Sequence, residues 1–115
     1  MSTSIAGEKS FAFAVRIVRL YQHLVHTRKE YVLSKQLLRC GTSVGANIRE
    51  ALHGQSRKDF HAKMYIALKE CSETLYWLEL LTATDYLTQN ESDSIIQDAK
   101  ELHRILQSIT KTTKG

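Results

Sequence analysis

From Leu33 onward, an apolar or small side chain returns every three or four residues: Leu33, Leu37, Cys40, Val44, Ile48 and Ala51. That period belongs to a helix, and it runs unbroken for about six turns. The chain contains no proline and only five glycines, so little in it can interrupt such a run. Three more segments carry the same signal. Phe13, Ile17, Leu20 and Leu24 lie on the first, with Ser10 or Glu8 at its start. Phe60, Met64, Ala67, Cys71, Leu75, Leu78 and Leu81 lie on the third, behind Ser56 and Asp59 as a short-acid capping box. Ile95, Ala99, Leu102, Leu106 and Ile109 lie on the fourth, behind the Thr88–Glu91 box. The expected helices are about 9–27, 32–53, 57–84 and 89–111, with Gly54 as the C′ residue of the second and the tail Lys111–Gly115 frayed. Four amphipathic helices with joints of a few residues predict one all-α domain over 1–115, an antiparallel up-down-up-down four-helix bundle.

Inside the second segment, GTSVG (Gly41 to Gly45) matches the G-x-S-x-G pattern of a hydrolase elbow. That elbow needs a strand before its serine, and here SKQLLR continues a helical stripe instead. The pattern is better read through the glycines. Gly41 and Gly45 share a helix face, with Ser43 and Ala46 beside them. Each glycine costs a helix interior about 1 kcal/mol against alanine, and close approach of another backbone would offset that. Thr42 and Ser43 can turn their hydroxyls to carbonyls one turn back. The plainer alternative is two tolerated glycines without a role. No catalytic residue is expected.

Glu50–His53 forms an E-x-x-H, but no second copy exists to complete a di-metal bundle site. No metal and no cofactor are called for. If the second and third segments fold back around Gly54, Arg39 comes level with Glu70 and Cys71, and Asn47 and Glu50 level with Lys63 and Phe60. Arg39 is then expected to pair with Glu70 or Glu73, and Glu50 with Lys63, fixing register more than adding stability. The surface-only alternative gives such pairs a few tenths of a kcal/mol. Cys40 and Cys71 should be buried, reduced thiols at similar heights, as in a cytoplasmic protein. The first ten residues show neither a basic start nor an apolar region, so a signal peptide is not expected. No apolar run is long enough to span a bilayer.

Met64–Leu68 and Leu75–Leu78 are apolar at successive positions, which wraps past one face. Tyr65 and Tyr76 align, as do Ile66 and Trp77, making a second stripe suited to another subunit. The alternative is a wide central helix in a monomer. The formal net charge is +4. Arg16, Arg19, His23 and His26 line one side of the first helix, and Lys35, Arg39, Arg49 and His53 one side of the second, while acids concentrate on the third and fourth. A basic band of this kind attracts phosphate backbones without reading sequence; a mixed solvated face is the other explanation.

The stretch QLLRCGTSVGANIREALHGQSRKDF, followed by ALKECSETLYWLELL, resembles the signature of a four-helix-bundle family first recognised as the protein encoded by intervening sequences in bacterial 23S ribosomal RNA genes. Arg39, Gly41, Thr42, Ser43, Gly45, Asn47, Glu50 and Glu70 match its pattern, whereas Cys40 and Cys71 stand where small residues are usual. The family is similar to the accessory protein of diversity-generating retroelements, a pentameric barrel that works with a reverse transcriptase and RNA. The resemblance implies a homopentamer, association with RNA or DNA or with an enzyme that acts on nucleic acid, and no catalysis. The combined expectation is a non-enzymatic oligomeric module binding RNA or a ribonucleoprotein through Arg16, Arg19, His23, His26, Lys35 and Arg49. The alternative is a scaffold that touches only protein.

Overall fold

The computed structural model describes residues 2–113 as four helices: α1 (Ser2–His26), α2 (Leu33–Leu52), α3 (Arg57–Ala83) and α4 (Gln89–Thr113). No strand occurs among the described residues. α1 begins seven residues before the expected start near residue 9. Its buried row continues backward through Ser10 and Ala6, residues too small and too polar to register as an apolar stripe. Gly7 is accommodated inside the helix without strain. α4 extends through Thr113, so the expected fraying at Lys111–Thr113 is not seen; Lys114 and Gly115 lie outside the described residues.

The helix ends have identifiable causes. At α3, the Ser56 hydroxyl accepts from the Asp59 N–H at 3.0 Å. At α4 the box is reciprocal: Thr88 Oγ1 accepts from Glu91 N–H at 3.1 Å, and Glu91 Oε1 accepts from Thr88 N–H at 2.8 Å. α3 closes in a Schellman motif, with Tyr86 N–H donating to the Leu81 carbonyl, Asp85 N–H to the Thr82 carbonyl, and Asp85 left-handed at φ 70°. Gly54 does follow α2, but not in a left-handed conformation. Its missing Cβ instead admits the Asp59 carboxylate, one oxygen of which would lie 2.5 Å from that carbon.

α2 is capped from outside the helix. Val32, its N-cap, offers no side-chain acceptor. Glu30, only 6% exposed, accepts from the N–H groups of Val32, Leu33 and Ser34 at 3.0, 2.9 and 2.6 Å. Ser34 Oγ returns a bond to the Glu30 carbonyl. Burial pushes the Glu30 carboxyl up, but the three backbone donors outweigh it and hold the group below its ordinary value.

Each helix packs on its chain neighbours, and α1 packs on α4; the diagonal pairs, α1 with α3 and α2 with α4, keep their described Cα atoms more than 8 Å apart. Neighbours run antiparallel: Lys9, Arg16 and His23 of α1 meet Glu101, Asp98 and Glu91 of α4, descending as α1 ascends. The result is a four-helix rod of 44 × 19 × 19 Å. Its core is one apolar column that includes Phe13, Ile17, Leu24, Leu37, Ile48, Met64, Leu78 and Leu106.

Gly41 and Gly45 place the α2 backbone against α1. A Cβ on Gly41 would lie 2.8 Å from both γ carbons of Ile17, and one on Gly45 would lie 3.3 Å from the Ser10 carbonyl oxygen. Ile17 therefore occupies the volume that a side chain at 41 would need. Ala46, expected beside the two glycines, is exposed at the rim of this seam, lining a cleft with Phe11 and Ala14 of α1.

Candidate functional site

The α2–α3 seam gathers the polar residues. Arg39 reaches Glu70 at 3.3 Å and also pairs with Glu73. Glu73 is shared, accepting from Trp77 Nε1 at 3.0 Å. Lys63 pairs with Glu50 at 3.1 Å. Asn47 departs from expectation: its amide turns back on its own helix, donating to the Ser43 carbonyl at 2.9 Å and to Ser43 Oγ at 3.0 Å. Ser43 is thus an acceptor inside a continuous helix, with no strand or elbow around it. Thr42 Oγ1 donates to the Leu38 carbonyl at 2.7 Å. Cys40 and Cys71 are free, buried thiols. Burial raises both, Cys71 to about 12, so neither ionises near neutrality.

The basic stripe of α1 is less available than its sequence implies. Arg16 is paired with Asp98 of α4. His23 lies 2.9 Å from Glu91, which also takes two bonds from Arg28 at 3.1 Å. The Thr88 N–H, aided by Arg28 and His23, holds Glu91 down to about 2. The acids of α4 therefore do not sit apart from the bases of α1; they close the bundle against them. Arg19, His26, Lys35 and Arg49 are exposed, with no carboxylate partner among the described residues. Arg49 lies over the Phe11 ring, 5.8 Å from its centroid.

The 23S rRNA-intervening sequence protein family matches residues 3–108. The chain belongs to that family. The chain is also similar to a protein of unknown function of the S23 ribosomal protein family from Bacteroides thetaiotaomicron. Its crystal structure superposes with a TM-score of 0.94 at 55% identity, covering 96% of this chain and 99% of that one. No match was found among curated proteins.

In this member of the family the expected subunit stripe splits in two. Tyr65 and Tyr76 stand outward, 51% and 57% exposed. Trp77 turns toward α2, half-buried against the core, and meets Tyr76 edge-on at 5.2 Å between centroids. Ile66, on the same side as Trp77, is 40% exposed. An apolar row absent from the expected site runs down α1: Phe11, Val15 and Val18, 59%, 40% and 38% exposed. Glu30 is a further residue that sequence pattern does not disclose. Its position two residues ahead of the N-cap fits no capping box, and only the turn at left-handed Lys29, φ 58°, brings it over the helix end.

Proposed function

We propose that this chain is a non-enzymatic, self-associating helical module that holds RNA, or an RNA-bearing partner, by charge along the outer side of α1 and α2. One observation carries the reading. The seams consume the acids, Glu70 and Glu73 toward Arg39 and Glu91, Asp98 and Glu101 toward α1, so that Arg19, His26, Lys35 and Arg49 are left facing solvent unneutralised. Such bases bind phosphate without sequence preference and release counterions on doing so. Arg16 and His23 already pair with α4, so in this reading the phosphate contacts fall to the other four. The exposed Phe11, Val15 and Val18 beside them supply the apolar surface for assembly, for which the family resemblance suggests five copies. Two protonated thiols suit a reducing cytoplasm.

The test is a combined Arg19→Glu, Lys35→Glu and Arg49→Glu variant. All three residues are exposed, so helicity by circular dichroism should be retained. Retention of generic RNA should weaken, and the slope of log affinity against log salt should flatten by about one for each phosphate no longer neutralised. Unchanged binding overturns the charge reading. A mass in solution equal to one chain across concentrations overturns the assembly.

A further inference from the structure

Turning the acids into the seams has a second effect, on the opposite side of the rod. Lys58, Tyr65, Lys69 and Tyr76 are separated by seven, four and seven residues, so they fall on one line down the outside of α3. All four are exposed. Beside them, Lys100, Arg104 and Lys111 form an exposed line on α4. None of these five bases has a carboxylate partner among the described residues. The surface is concave where the two lines meet: Tyr65 and His61 of α3 face Gln107 and Lys111 of α4 across a depression. The His61 and Tyr65 rings are stacked, 14° from parallel with 6.4 Å between centroids, so His61 braces Tyr65 from one side. Among the acids of these two helices outside the ion pairs, Glu79 and Asp93 sit at the far end from Lys58 and Lys111, and Asp59 turns toward Gly54.

We infer that the outer face of α3 and α4 is a binding site for single-stranded nucleic acid, with Tyr65 and Tyr76 stacking bases and the lysines tracking the backbone. The inference rests on the nucleic-acid reading above and adds a mode to it. Bases alternating with aromatic rings suit an unpaired strand, whose bases are free to stack; a duplex keeps its bases inside and offers only phosphate. The tyrosines stand about 16 Å apart along the helix, room for successive nucleotides to reach both. Bare charge would need no rings, and a purely apolar subunit contact would not be threaded with five unpaired cations.

The experiment compares a 20-nucleotide oligouridylate with an RNA hairpin duplex of equal length. Tyr65→Leu and Tyr76→Leu should each weaken the single strand about tenfold and leave the duplex unmoved. Tyr65→Phe and Tyr76→Phe should retain binding, because stacking needs the ring and not the hydroxyl. Oligouridylate should also change the emission of Trp77, whose ring touches Tyr76. The α1–α2 charge-reversal variant should weaken both probes alike. If the leucine variants hold the single strand as well as the parent does, the stacking face is wrong while the charge reading stands. If neither probe binds the parent protein, both fail. If the leucine variants instead change the mass of the particle, the face is a contact between copies and the inference is overturned.

Discussion

A single carboxylate terminates the α1–α2 connection. Glu30 satisfies three of the four N–H groups that the first turn of α2 leaves open, in a place where water is excluded. Its lowered value in the folded state means that it stabilises the fold above about pH 4.5, its ordinary value, and that this contribution disappears as pH falls through the folded-state value. Glu91, held to about 2, acts in the same direction between about 4.5 and 2. Glu30→Gln should therefore cost about 1–2 kcal/mol in urea unfolding at pH 7, with the gap from the parent narrowing as pH falls below about 4.5. A gap constant with pH would remove the carboxylate charge from the account. The caps at Ser56 and Thr88 were readable in the sequence because donor and acceptor lie three residues apart. Glu30 was not, because its reach depends on the backbone conformation of Lys29, which no local pattern encodes.

At the level of helix pairs, the two glycines of α2 have unequal roles. Gly41 faces a β-branched side chain with little rotational freedom, whereas Gly45 faces the Ser10 carbonyl at the edge of ordinary contact. Alanine gains about 1 kcal/mol of helix preference at either site. At position 41, overpacking against Ile17 costs about 1–3 kcal/mol, so Gly41→Ala should lower stability overall. Gly45→Ala should come out near neutral. Adding Ile17→Val to Gly41→Ala should recover part of the loss, a non-additivity that a double-mutant cycle in urea measures. The close approach was readable from the sequence, since spacing alone sets glycines four apart on one face. Which helix they face was not readable, and Ala46 shows the limit: one further residue moves it to the exposed rim of the seam. The α2–α3 ion pairs were readable for the opposite reason, because a short joint fixes the register of its two arms. The α1–α4 pairs join residues more than sixty positions apart, beyond any register that a joint can set.

For the molecule as a whole, charge is sorted by position and not by helix. Counting acids along α3 and α4 suggested an acidic side, yet most of those acids face inward to the seams. The architecture followed from four periodic stripes and short joints, while the surfaces depended on the angle at which each helix settles, which periodicity leaves open by tens of degrees. The family match, and the 0.94 superposition on a Bacteroides relative, bear on the architecture. The cyclic order of helix packing also has a kinetic meaning. Three of the four seams join consecutive helices and can zip locally, while the seam between α1 and α4 must bring together distant parts of the chain. The pair Arg16–Asp98 is therefore expected to form late, after the rate-limiting barrier. Asp98→Asn should leave the refolding rate nearly unchanged and speed unfolding, as stopped-flow chevrons would record; slower refolding would place that closure inside the folding nucleus. The protein would thus assemble from its middle outward and come apart from its first and last helices.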